Sequence, residues 1–259
     1  MNKVKYSFTT KLTFDNNVHD HFFALRCVPN DNPGQRTAAF DFSLSPFVST
    51  CTTADAFSNK VISGIIHKEH RFLDFEISGE ALLDGEAKRT DFMPCYKYQS
   101  HYTKPEDKLK AFYASISAKC GLTDNFERAK FFSSELAEKF TYEKNVTDTE
   151  TTAEEAFAGG KGVCQDFTHI LLSLLRQDGI PCRYQAGLAC CDGETHSWAD
   201  IWTGEGWKGY DPTNLCEAND SYLTLSQGRD FRDSAIDRGV MFGEYTRQMQ
   251  LIISKPELF

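Results

Sequence analysis

The 259-residue chain carries 28 Lys and Arg against 37 Asp and Glu, a formal net charge of -9, and 41% of its residues are hydrophobic. That balance suits a globular core and leaves no basic footprint, so neither nucleic acid nor an anionic membrane is expected as a partner. No run of about 18 apolar residues occurs and Met1–Phe8 lacks an apolar signal stretch, so the chain reads as cytoplasmic, with no span and no export.

Two domains are expected, 1–95 and 96–259, since strand signals give way to a helical period after about residue 100. The first reads as an antiparallel β-sandwich, with strands at Lys5–Phe14, Thr37–Leu44, Val61–His67 and Arg71–Ser78. In the last of these Leu73, Phe75 and Ile77 alternate with Phe72, Asp74 and Glu76, the pattern of a half-buried strand. Turns are predicted at Asp15-Asn16-Asn17 and at Asn30-Asp31-Asn32-Pro33-Gly34.

From about residue 100 the period becomes helical. Thr103 is predicted to cap a helix with Pro105 and two acids in its first turn and Leu109, Phe112, Tyr113 and Ile116 along one side. Asp124-Asn125-Phe126-Glu127 has the form of a capping box opening a second helix through Phe140, and Thr152–Phe157 forms a short third. A glycine loop, Gly160–Gly162, then gives way to a core helix from Cys164 through Leu175, ended by Asp178-Gly179-Ile180-Pro181. Strands follow at Arg183–Cys190, His196–Trp202 and Trp207–Tyr210, with turns at Asp192-Gly193 and Thr203–Gly206 between them. The fold class is therefore α+β.

A thiol in the first turn of a helix meets unpaired backbone N–H groups and the positive end of the macrodipole, which favour thiolate, and Cys164 has that setting. A thiolate that attacks a carbonyl needs a base to take its proton and a third group to orient that base. His196, 32 residues on, and Asp211, a further 15, supply both types, and adjacent antiparallel strands would bring them side by side. Trp198 shares a strand face with His196, where an indole would shield an ion pair from water. The Cys164 N–H is the natural first donor to an oxyanion; Gln165 is a weak candidate for the second.

Gly162-Val163-Cys164-Gln165-Asp166-Phe167, Thr195-His196-Ser197-Trp198-Ala199, Gly206-Trp207 and Tyr210-Asp211-Pro212-Thr213-Asn214 resemble the blocks of the transglutaminase-like superfamily. Leu175-Arg176, Gly179–Tyr184 and Gly228-Arg229-Asp230-Phe231-Arg232-Asp233 are similar to its bacterial branch. Pro29, Gln35, Pro46 and Asp55-Ala56-Phe57-Ser58-Asn59 are similar to the β-sandwich region preceding the catalytic domain there, with Ser58 where that pattern usually has glycine. The resemblance implies a papain-like catalytic domain, a helix bundle packed on an antiparallel sheet, and a triad carried onto Cys164, His196 and Asp211. It also implies acyl transfer from peptide or side-chain amides of a protein or peptide substrate, with hydrolysis favoured over transglutamination or a non-catalytic binding role.

The remaining residues have plainer readings. The nine cysteines show no repeated spacing, so no disulfide framework is expected, and Cys27, Cys51, Cys95, Cys120, Cys182 and Cys216 read as core packing. Cys190-Cys191 lacks the C-x-x-C spacing of a zinc site, and neither a metal nor any other cofactor is expected. His169 lies about 140° around the helix from Cys164 and reads as structural, while His19, His21, His67, His70 and His101 read as surface or sandwich residues. Trp202 and Trp207 read as core aromatics, Asp166 as a helix N-terminal charge, and Arg229 and Asp230 as a salt bridge near the cleft.

Overall fold

The computed structural model describes residues 2–189, 195–244, 248–254 and 257–258. The N-terminal strands are β1 (Asn2–Leu25), β2 (Gln35–Ser45), β3 (Cys51–Ala54), β4 (Lys60–Ile66) and β5 (His70–Leu83), in the order β2-β5-β1-β4-β3. β1 does not stop at Asp15-Asn16-Asn17, where a turn was predicted. Its pairing with β5 slips between Thr13 and Val18, and from His21 onward its partner is β4. Asn16 and Asn17 are exposed at that slip, so polar residues that could have closed a turn instead sit on an irregularity in a continuous strand. Ahead of Asn16 and Asn17, Val4, Tyr6, Phe8, Leu12 and Phe14 alternate inward, as do Leu73, Phe75 and Ile77 of β5.

Three helices come next, α1 (Asp107–Ser117), α2 (Asn125–Ala137) and α3 (Ala153–Gly159), with the two-residue strands β6 (Thr141–Tyr142) and β7 (Lys161–Gly162) pairing in parallel around α3. Thr103 is not the cap of α1. It is buried, and its hydroxyl accepts from Arg176 at 2.8 Å, while the free N–H groups of Glu106, Lys108 and Leu109 are taken by the Glu154 carboxylate reaching over from α3. Asp124 caps α2 through Phe126 N–H and Glu127 N–H, but the helix ends at Ala137, short of the expected Phe140. Thr152 and Glu155 close a full capping box on α3.

The long helix α4 (Cys164–Gln177) lies against a five-stranded antiparallel sheet, β8 (Cys182–Ala189), β9 (Thr195–Trp202), β10 (Trp207–Asp211), β11 (Cys216–Ala218) and β12 (Tyr222–Gly228), in the order β11-β10-β9-β8-β12. Ile170, Leu171, Leu174 and Leu175 form one core with Phe132, Ala199 and Ile201 on one face of that sheet. Each such leucine removed from water stabilises the packing by roughly 2 kcal/mol. On the other face Leu188, Leu223 and Leu225 join Phe8, Phe75 and Ile77 in a second core, so the sheet is held between helices and the N-terminal strands. A short helix α5 (Phe231–Ser234) leads to β13 (Asp237–Phe242), β14 (Gln248–Ser254) and β15 (Glu257–Leu258), all of which return to pair with β1. Strands from both ends of the chain thus share one sheet across the expected 95/96 boundary.

The N-terminal motif residues clamp the two halves together. The buried Gln35 side chain donates to the Thr224 carbonyl and accepts its N–H, both at 2.8 Å, so it completes the edge of β12. Asn59 does the same to Gln227, donating to its carbonyl and accepting its N–H at 2.8 Å each. Asp55 anchors that loop by accepting from Arg26 Nε and from Asn59. Between them Ser58 sits at φ 63, a left-handed conformation that costs a side-chain-bearing residue more than glycine, which accounts for the glycine usual there.

Candidate active site

α3 ends on Gly160 at φ 72, and the extended Val163 turns the chain into α4, so Cys164 becomes the first residue of that helix. Asp166 holds this turn: its carboxylate accepts Val163 N–H at 2.8 Å and the Thr147 hydroxyl at 2.7 Å. A Cβ on residue 162 would collide with that carboxylate, which requires glycine there. Burial pushes the Asp166 carboxyl upward, partly offset by these two bonds. Asp166 therefore builds the loop, as its helix-start position suggested, and does not face the thiol's partners.

The structure brings Cys164, His196 and Asp211 together. His196 on β9 places Nε2 at 2.6 Å from Asp211 Oδ2 at the end of β10 and lines the same cleft as Cys164, which leaves Nδ1 for the thiol side. Burial disfavours the imidazolium, but the bonds and charges of Asp211 and Cys164 outweigh it and push His196 up to about 10. Asp211 is fully buried. Burial alone would raise its carboxyl; His196, Tyr222 and Asn214 reverse that and hold it below the usual range. The oxygen facing His196 also accepts from the Tyr222 hydroxyl and the Asn214 amide, each at 2.8 Å, while Oδ1 accepts the Thr213 and Asn214 backbone N–H groups.

Trp198 is buried beside this group and outside the cleft lining. Its ring meets Tyr222 edge-on at 5.1 Å, so it backs the residue that bonds Asp211. Sequence reasoning missed Tyr222 altogether, because β12 has no turn signal or motif pointing at the site. Cys164 opens, with Gln165, Tyr184, Ser197 and Phe231, onto a cleft of ≈ 1080 Å³ whose far wall includes Phe8 of β1 and Asp237 of β13. Gln165 Nε2 is buried at this cleft without a hydrogen-bond partner among the described residues. The N–H groups of Cys164 and Gln165 lie in the first turn of α4, where no intrahelical acceptor exists.

Residues 96–212 match the family model of the transglutaminase-like superfamily, and residues 4–81 match that of the bacterial transglutaminase-like N-terminal region. The chain thus carries a transglutaminase-like core behind a bacterial transglutaminase-like N-terminal region. An uncharacterized protein of Mycobacterium leprae is 34% identical to it over 125 residues, 44% of this chain and 44% of that relative, so the match spans less than half of each. An uncharacterized protein of Mycobacterium tuberculosis strain H37Rv is 27% identical over 254 residues, 83% of this chain and 79% of the relative. A solved structure from Cytophaga hutchinsonii, described as a candidate cysteine protease, shares the fold with a TM-score of 0.78 over 98% of this chain and 90% of that one, at 17% identity.

Other expectations fare unevenly in this transglutaminase-like fold. His169 is buried in α4, accepts Phe231 N–H at 3.1 Å, and is pushed down to about 3 by burial and Arg176. Arg229 pairs with Asp233 at 2.7 Å and not with Asp230, whose carboxylate instead caps α5, because the i,i+4 spacing brings Asp233 under the guanidinium. Cys51 and Cys216 are exposed, contrary to the core-packing expectation, since each begins an edge strand of its sheet. Cys190, Cys191 and the Asp192-Gly193 turn lie outside the described residues. Among the described residues no three His, Cys, Asp or Glu side chains group as metal ligands, and no helix is long and apolar enough to cross a membrane.

Proposed function

We propose that the chain is a thiol-dependent acyl-transfer enzyme that hydrolyses peptide or side-chain amides, acting as a cysteine peptidase or amidase. The observation that carries this reading is the His196 imidazole, hydrogen-bonded to Asp211 on one side and sharing with Cys164 a cleft of ≈ 1080 Å³. Cys164 attacks the amide carbon beside a His196 that already carries the proton of the pair. The tetrahedral oxyanion faces the first-turn N–H groups of α4. His196 then gives the proton to the departing amine, leaving a thioester on Cys164. Cys164 is only half-buried, so water reaches this thioester; His196 takes a proton from it, and the acid leaves with the thiol restored.

Incubating the full chain with a peptide library, with and without a primary amine, and reading masses tests this directly. Hydrolysis gives cleaved peptides or a one-dalton amide-to-acid gain, abolished in Cys164→Ala. Mass gained by amine incorporation would replace hydrolysis with transglutamination. Iodoacetamide is expected to label Cys164 at neutral pH faster than an unfolded cysteine control and to lose that advantage in His196→Ala; equal rates for the native chain and the control would remove the enzyme reading itself.

A further inference from the structure

The Gly228–Asp233 segment has no part in the proposed acyl transfer, yet it is held firmly. Arg176 donates to the Arg229 carbonyl at 2.6 Å, His169 accepts Phe231 N–H, and Asp230 Oδ1 accepts the Arg232 N–H at 2.8 Å. One side of the segment presents Phe231 to the Cys164 cleft. The other lines a separate cavity of ≈ 550 Å³, where Arg229 and Arg232 meet Arg26 of β1, Arg238 of β13 and His101. Four of the chain's 11 arginines thus converge on one cavity, which no lysine lines, in a protein of net charge -9.

The three carboxylates lining this cavity are already engaged. Asp55 accepts from Arg26 and Asn59, Asp233 takes both arms of the Arg229 guanidinium at 2.7 and 3.1 Å, and Asp230 caps α5. Arg232 and Arg238, both exposed, have no ion-pair partner among the described residues. Two guanidinium groups without carboxylates, beside two others fixed by theirs, leave planar donor forks suited to an oxyanion.

We propose that this cavity is a second binding site, taking a phosphate or carboxylate group on Arg232 and Arg238, with the Arg26–Asp55 and Arg229–Asp233 pairs as its walls. The site lies apart from Cys164, because this cavity and the Cys164 cleft share no lining residue. The site stands whether or not the chain hydrolyses amides.

Calorimetric titration of inorganic phosphate, and separately of succinate, into the full chain at low chloride tests the site. Saturable binding is expected, weakened about tenfold or more in Arg232→Ala/Arg238→Ala and abolished in Arg232→Glu/Arg238→Glu. Cys164→Ala should bind as the native chain does. Preference for phosphate identifies a phosphoryl ligand and preference for succinate a carboxylate one, and either supports the site. No saturable binding of either anion to the native chain, equal affinity in the double alanine variant, or loss of binding in Cys164→Ala would overturn it.

Discussion

His196 and His21 are both buried, at 7% and 1% exposure, and the two regions around them treat the imidazole in opposite ways. Beside α4 the partner is a carboxylate, and His196 is pushed up to about 10. At the point where β1 passes from β5 to β4 the partner is another imidazole. His70 Nδ1–H donates to the Lys68 carbonyl at 3.0 Å, so its Nε2 accepts from His21 Nδ1–H at 3.1 Å, with Phe14 edge-on to both rings. Burial first, and His70 second, push His21 down to about 4. Burial alone disfavours the cation in both places, so the partner decides the sign, and of these two buried histidines the charged one is the one beside Asp211.

Asp211→Asn is the sharpest way to break this contrast. It removes the charge that outweighs burial at His196 and leaves an amide that can hold the wrong tautomer. Activity on whichever amide the peptide library identifies should fall by about a thousandfold to ten-thousandfold, with circular dichroism unchanged. Retained activity would mean that His196 works without the Asp211 charge.

Stability against pH separates the same two regions. The His196 contribution is fully present below the unfolded pKa of about 6.5 and is lost as pH rises through about 10. The His21 contribution has the opposite sign: it is fully present above about 6.5 and is lost as pH falls toward about 4, and His169 adds to this loss in the same direction. For His21 the loss is roughly 3 kcal/mol over that window. Thermal unfolding at pH 7.5 and pH 5 should therefore show a fall for the native chain that is smaller in His21→Leu. An identical fall in both proteins would shift the acid sensitivity elsewhere.

How legible each region was in the sequence follows from the range of the interactions. Cys164, His196 and Asp211 each stand in a local block whose glycines, turns and alternation declare a helix start or a strand, so their meeting could be anticipated from order alone. The continuity of β1 could not, because Asp15-Asn16-Asn17 has turn chemistry and only the pairing with β5 and β4 across the slip overrides it. The cap of α1 was invisible for the same reason, since Glu154 reaches it from another helix. Gln35 and Asn59 stand out in the sequence as motif residues, but their task of completing the edge of β12 depends on a strand more than 160 residues away in the chain.

Tyr222 gives the finest test, because it acts on His196 only through Asp211. Three donors, His196 Nε2, the Tyr222 hydroxyl and the Asn214 amide, share one oxygen of that carboxylate. Each stabilises the anion and draws down the negative charge available to the other two. Tyr222→Phe keeps the ring against Trp198 and removes one donor, which makes Asp211 more basic and strengthens its hold on the imidazolium. The His196 titration, followed by NMR, should then move to higher pH, while stability falls by roughly 1–2 kcal/mol for the lost bond to a charged group. A purely structural tyrosine would lower stability and leave that titration where it was, so the direction of the shift decides whether the carboxylate beside α4 is tuned by its neighbours or acts by its charge alone.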